Sequence, residues 1–359
     1  MDDAVELLTL ALLPGIPPRA ALALLARGPL AQTLSRPAEH TDVLGAEAVS
    51  SLRGGGPRRA AEAEADKARK AGVSIVGRDD SCYPLWLRQT HTPPLVLWVR
   101  GQLVASEGAK AIAVVGSRAA TPLGRAFAER LAEELAASGL VVVSGLARGI
   151  DSAAHRGVLR SRGRTVAVLG SGLDRIYPPE NAALAERIAE AGALVSEFPL
   201  GTRPWKSNFP RRNRVIAGWA RAVVVVEAGA TSGALSTARA ATDEGRDVMA
   251  VPGHPSEPQA EGTNALVRDG AALVRGSPDV LAELGLLEAR APENAPDDPV
   301  LRAMAKGVPA RVDEIQERSG LALPAVLARL SELELTGAVA RLSGGLFARD
   351  APGHGYTRR

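Results

Sequence analysis

The chain has 359 residues, too many for one ordinary core, so two or three domains are expected. Hydrophobic residues make up 46% and charged residues 23%, a soluble globular composition. The net charge of +3 (43 basic, 40 acidic) excludes a uniformly polybasic nucleic-acid binder but allows a local patch. A single cysteine, Cys82, excludes a disulfide framework and multi-cysteine metal centres. No apolar run approaches the ~20 residues of a membrane span, and the acidic start Met1-Asp2-Asp3 leads into no signal peptide, so a cytoplasmic protein is expected.

Residues 4–34 read as helical: Val5, Leu8, Leu12 and Leu13 recur at helical spacing, Pro14-Gly15-Ile16-Pro17-Pro18 interrupts them, and the pattern resumes over 19–26. Leu13-Pro14-Gly15-Ile16 resembles a helix-hairpin-helix turn with Pro17 at the usual second glycine, and a small helical packing module is the competing reading. After Gly54-Gly55-Gly56-Pro57, an Ala/Glu/Lys helix is expected over 58–71.

From about residue 73 to 287, short β-branched runs alternate with helical stretches. Strands are expected at 112–115, 140–143, 165–169, 193–195, 222–226 and 247–251, with helices at 123–137 and 233–244 among the crossovers. Nearly continuous apolar strands separated by such crossovers predict a mostly parallel sheet covered on both faces. The fold class is α/β, a Rossmann-like doubly wound domain. A Pro/Glu/Asp-rich stretch at 288–299 reads as a linker. Three short helices at 300–305, 312–318 and 324–335, then strands at 339–342 and 346–349, outline a winged helix-turn-helix, and 351–359 reads as a disordered tail. The expected domains are therefore 1–71, 72–287 and 300–350.

Ligands of an open parallel sheet gather beyond the carboxyl ends of its strands. Four expected strands end there in small polar turns: Gly116-Ser117-Arg118, Ser144 to Gly149, Gly170-Ser171-Gly172 and Glu227 to Gly233. Three lead into helices, so free amides would face one edge suited to phosphate. None is Gly-x-Gly-x-x-Gly, and no P-loop is present.

The segment 203–221 holds Arg203, Lys206, Arg211, Arg212, Arg214 and Arg221 with no acidic residue, a local +6 against +3 for the whole chain. Four of the eleven aromatic residues, Phe198, Trp205, Phe209 and Trp219, fall here or just before. Cations interleaved with rings suit a single-stranded nucleic acid, whose phosphates take the cations and whose bases stack at ~1–3 kcal/mol each. Phe198 and Trp219 are expected in the core, Trp205 and Phe209 at the surface. A solvated basic loop is the competing reading. Asp151 and His155 share a helix face as a structural arrangement, Cys82 reads as a lone thiol, and no catalytic constellation, metal site or cofactor motif is found.

Together with Val143 to Asp151, the motifs Val114-Val115-Gly116-Ser117-Arg118, Leu169-Gly170-Ser171-Gly172-Leu173-Asp174 and Tyr177-Pro178 resemble the DprA (DNA-processing protein A, Smf) family. So do Ser196-Glu197-Phe198-Pro199, Asn208 to Gly218, Val251-Pro252-Gly253 and Gly262-Thr263-Asn264. The resemblance runs in order over 72–285. It implies an N-terminal SAM-like module, a Rossmann-like domain that homodimerises and binds single-stranded DNA without sequence preference, and a C-terminal winged helix. It also implies loading of RecA onto DNA during natural transformation, displacing or bypassing single-strand-binding protein, and no catalytic activity. The family's DNA-contacting positions fall on Arg118, Lys206 and Phe209. The full expected contact set is Gly116, Ser117, Arg118, Gly145, Arg148, Lys206, Asn208, Phe209, Arg211, Arg212, Arg214 and Ser232.

The winged helix's second helix carries Arg329 against Glu332 and Glu334, a charge of −1, which favours a protein-contacting or autoregulatory role over duplex reading. The rival reading is a nucleotide-processing enzyme of the LOG phosphoribohydrolase type. Ala228 to Gly233 approaches its glycine loop but lacks the glutamate that should follow a Gly-Thr pair.

Overall fold

The computed structural model describes residues 2–286, 298–304, 309–335, 338–342 and 345–349. The expected linker, save Asp298 and Pro299, and the expected tail lie outside these residues. Two compact units divide the chain at residues 283 and 284.

The first unit opens with helices α1 (Asp2–Ala11), α2 (Pro18–Leu25), α3 (Leu30–Ser35), α4 (Thr41–Arg53) and α5 (Gly56–Lys70). Helix α4 was not expected: Gly45, at φ 76°, breaks its hydrophobic pattern near the middle. These helices bury Leu10, Leu13, Leu24, Leu44 and Val49 among themselves. Leu7, Leu8, Ala61 and Ala68 instead join the core beneath the sheet with Trp98, Leu169 and Leu194.

The sheet begins with β1 (Ser74–Gly77), α6 (Leu85–Arg88) and β2 (Val96–Gly101), and continues as β3 (Ala111–Val115), α7 (Pro122–Ala137), β4 (Val141–Ser144), α8 (Ile150–Arg160) and β5 (Thr165–Leu169). Next come α9 (Ala182–Ala191), β6 (Ala193–Ser196), α10 (Asn208–Trp219), β7 (Ala222–Val225), α11 (Ala234–Asp243) and β8 (Asp247–Ala250). Helix α12 (Glu261–Arg268), β9 (Ala272–Leu273) and α13 (Ser277–Glu283) complete the unit. The strand order is β1-β2-β6-β5-β4-β3-β7-β8-β9. All neighbours from β6 to β9 are parallel; β2 joins β6 antiparallel, and β1 joins β2 antiparallel. Every residue of β3, β4, β5 and β7 is buried, as a sheet covered on both faces requires. Helix α7 shows how the cover forms. Thr121 caps it, Pro122 fits its first turn, and Ala128, Leu131, Ala132 and Leu135 recur at helical spacing against the sheet.

From β3 the chain winds through β4 and β5 to β6, then returns to β7 on the other side of β3 and moves outward to β9. The switch therefore lies between β3 and β7, the usual place for a ligand crevice in such a sheet.

The second unit has α14 (Pro299–Ala303), β10 (Ala310–Arg311), α15 (Val312–Ser319), α16 (Leu323–Leu335), β11 (Val339–Leu342) and β12 (Leu346–Arg349). Its core gathers Val300, Leu301, Ile315, Val326, Leu330, Leu333 and Phe347. Asp298 caps α14 through the amides of Val300 and Leu301. The wing is a three-stranded antiparallel sheet ordered β10-β12-β11; the two-residue β10 is too short to show a period in the sequence.

Candidate nucleic-acid interface

A groove of about 670 Å³ lies over the β3–β7 crevice, with a side pocket of about 70 Å³. Of the expected contact residues, Gly116, Ser117, Arg118, Lys206, Phe209, Arg212 and Ser232 line the groove; Gly145 and Arg148 line the pocket, which shares Arg118, Phe209 and Arg212. Glycine-rich turns after β3, β4, β5 and β7 all contribute to this edge. Thr231, Gly233, Ser236, Thr237 and Gln259 give the groove a neutral, hydroxyl- and amide-bearing side.

Arg118 sits in the exposed turn after β3, its guanidinium 4.7 Å from the centre of the Phe209 ring. Such a stack holds a cation beside an apolar face at a modest gain of about 0.5–1 kcal/mol when exposed. Phe209, at the start of α10, also lies 6.1 Å from the Tyr177 ring at 43°. Tyr177 is 40% exposed and lines the pocket, yet it was absent from the expected contacts. The signals available were its place in the Tyr177-Pro178 motif and its scarcity as one of three tyrosines.

The other arginines of α10, Arg211, Arg212 and Arg214, all in the expected contact set, differ in their surroundings. Arg212 is buried; it donates to the carbonyls of Gly145 and Val168 and to Asn213 Oδ1, the last at 3.0 Å. Burial pulls its guanidinium down to about 10, and it remains charged at neutral pH. A Cβ on Gly145 would stand 1.9 Å from this guanidinium, so glycine is required there. Arg212 therefore forms the groove's floor. Arg211 and Arg214 turn to Glu197: Arg211 lies 3.7 Å from its carboxylate and 4.9 Å from the Phe198 ring centre, and Arg214 pairs with it and donates to the Thr92 carbonyl. Neither lines the groove or the pocket. Asn208 is buried, its amide donating to the carbonyls of Gly170 and Arg203, so it ties down the basic loop. Arg148 makes an exposed ion pair with Glu180.

Phe198 and Trp219 are core residues, and Trp205 is 60% exposed in the basic loop. The turn after β4 is held from below. Asp151, buried, accepts from the amides of Gly145 and Ala147, so it caps the preceding loop. Leu146 is kept at φ 57°, a costly conformation for a branched side chain, with Asn181 donating to its carbonyl. His155 sits against Thr165. That hydroxyl donates to the Val142 carbonyl, so it accepts from His155 Nδ1–H, and Nε2 carries no proton. Burial pushes this imidazole down to about 3. Among the described residues, no group of three or more His, Cys, Asp or Glu is placed to hold a metal, and no helix is long and apolar enough to cross a membrane.

Residues 74–285 match the family described as DNA recombination-mediator protein A, and residues 286–345 match the DprA winged helix domain. The chain belongs to the DNA recombination-mediator protein A family. Protein Smf of Escherichia coli is 41% identical over 303 residues, which span 80% of this chain and 81% of that protein. Among solved structures, DNA processing protein A of Streptococcus pneumoniae superposes with a TM-score of 0.69 at 35% identity, covering 78% of this chain and 97% of that one. A Helicobacter pylori DNA processing protein A, whose structure concerns its single-stranded DNA binding mode, gives a TM-score of 0.53 at 28% identity, covering 59% of this chain and 95% of that one. Family membership accounts for a Rossmann-like sheet and a winged helix in one chain and makes this a DNA-processing recombination protein.

Proposed function

We propose that the chain binds single-stranded DNA without sequence preference along the β3–β7 groove, and delivers it as a homodimer to a RecA-type recombinase, past any bound single-strand-binding protein. It does so by binding rather than catalysis, in the cytoplasm. The observation that carries the DNA reading is the Arg118–Phe209 stack in the lining of a groove that Lys206 also lines. A phosphate has its cations and a base its ring within one short span, and ring stacking accepts any base. The neutral hydroxyl wall gives further donors without selecting a base. Delivery to the recombinase draws its support from the family, whose description is that of a recombination mediator, and the homodimer from the family resemblance of the motifs alone.

Equilibrium binding of labelled single-stranded and duplex oligonucleotides across a salt series tests this, with wild type beside an Arg118→Ala/Lys206→Ala double mutant. Tight, salt-dependent preference for the single strand is expected. The double mutant should lose affinity and lower the log–log salt slope by about 1.4, two contacts at about 0.7 each. Equal affinity for both strands, or an unaffected double mutant, would overturn the reading.

The winged helix does not share this role in our reading. On α16, Arg329 is held by Asp298 and Glu332, leaving no cation of that helix offered to a phosphate. The isolated unit should not bind duplex DNA at physiological salt, and retention of a duplex would reverse that assignment.

A further inference from the structure

A helix N-terminus at a strand's carboxyl end is the usual place for a phosphate in a doubly wound sheet, because its first amides have no partners within the helix. At the β3–β7 switch that place belongs to α7, and the protein has filled it with a carboxylate of its own. Glu227, just beyond β7, accepts from the Thr121 amide at 2.9 Å and from the Thr121 hydroxyl at 2.6 Å. The same hydroxyl caps α7 by accepting from the Gly124 amide at 2.9 Å. The fit is close: a Cβ on Gly124 would stand 2.3 Å from the Glu227 carboxylate.

Glu227 also reaches the other end of the turn. Its carbonyl accepts from the Ser117 amide at 2.6 Å, while the Ser117 carbonyl accepts from the Ile150 amide at 3.2 Å. Arg118 thus lies in a turn fastened on both sides by one residue, at Ser117 through the backbone and at Thr121 through the side chain. Between these points the Ser117 hydroxyl, accepting from the Ala119 amide at 3.1 Å, and the Arg125 guanidinium, donating to the Ala120 carbonyl, add local support. The Arg118 side chain itself is exposed and gains its place over Phe209 from where that turn puts it.

We infer that Glu227 is a positioning residue for Arg118: its carboxylate occupies the anion place at the start of α7 and, through Thr121, fixes the turn that presents Arg118 to the strand's phosphate. The inference rests on the single-strand reading above. It also assigns the route of the backbone, since a phosphate is kept from the α7 terminus and directed to Arg118 and Lys206.

The test is oligo(dT) binding over a salt series with Arg118→Ala, Glu227→Ala, Thr121→Val, Thr121→Ser and the Glu227→Ala/Arg118→Ala pair, each checked for cooperative thermal unfolding. Glu227→Ala and Thr121→Val should each weaken binding several-fold, up to the roughly tenfold of one charge-assisted contact. Each should lower the salt slope toward the Arg118→Ala value, a fall of about 0.7. Thr121→Ser keeps the hydroxyl and should bind like wild type. In the Arg118→Ala background, Glu227→Ala should add less than about twofold, because the contact it positions is already gone. A weakening with unchanged slope, effects that multiply in the double mutant, or wild-type binding by Glu227→Ala and Thr121→Val would each overturn the inference while leaving the groove intact. Wild-type binding by Arg118→Ala would instead remove the single-strand reading, and the inference with it. Should Glu227→Ala fail to fold, Thr121→Val against Thr121→Ser decides alone.

Discussion

Phe209 and Arg212, three residues apart on α10, face the same groove, while Arg211 and Arg214, also three apart, face Glu197. One helix thereby separates a ring and a floor cation from a pair of arginines that meet an acidic side chain.

Phe209→Ala should weaken binding of a single-stranded oligonucleotide by about 1–3 kcal/mol, the worth of one stacked base. Its salt slope should stay near wild type, whereas Arg118→Ala lowers the slope. Phe209→Trp should retain most of the affinity. Fluorescence anisotropy at four salt concentrations separates the two behaviours.

Arg212 belongs to the stability of the protein. Arg212→Ala strips two buried carbonyls of their donor and leaves buried Asp151 without its nearest positive charge. A loss of about 3–5 kcal/mol is expected in chemical denaturation. Lys206→Ala, at an exposed position, should stay within about 0.5 kcal/mol of wild type.

His155 gives the fold an acid limit. The folded imidazole is pushed down to about 3, from an ordinary value of 6.5, so the unfolded chain binds this proton first. The stabilisation is complete above 6.5 and drains away as the pH falls from there toward 3, at up to about 1.4 kcal/mol per pH unit. His155→Gln keeps a donor for Thr165 and removes the titration, so it should flatten this part of the stability–pH curve measured by urea unfolding.

Trp205 offers an optical readout. Of the four tryptophans, Trp98 and Trp219 are buried, Trp86 lies under Arg246, and Trp205 is 60% exposed in the basic loop. Adding oligo(dT) should quench tryptophan emission. Trp205→Phe should abolish most of that quench while anisotropy still reports binding.

The central strands were legible because β3, β4, β5 and β7 are buried on both faces and admit little except Val, Ala, Ile and Leu. Strands β1 and β2 were missed because they join antiparallel at one edge, beyond the alternation of strand and crossover that marks the rest. Within the site, Arg118, Lys206 and Phe209 stood out by charge and aromatic scarcity. The arginines of α10 could not be sorted by charge alone. Helical phase separates positions 209 and 212 from 211 and 214, but the partner that claims the second pair, Glu197, lies upstream of the segment that carries no acid. Glu227 was invisible for a different reason: its work depends on two turns that meet only when β3 and β7 are side by side.

Helix α5 reaches the basic loop directly. Glu64 accepts from both the Trp98 indole and the Leu200 amide, and Lys67 donates to the Leu200 carbonyl at 2.7 Å, five residues before Trp205. The N-terminal helices are therefore an anchorage for the loop that carries Trp205 and Lys206, in addition to covering the sheet. Removing residues 1–71 would leave β3 to β9 paired but would untie that loop at its root. Such a truncation should retain a folded sheet and still hold a single strand poorly, a defect easily mistaken for a DNA-binding activity of the helices themselves.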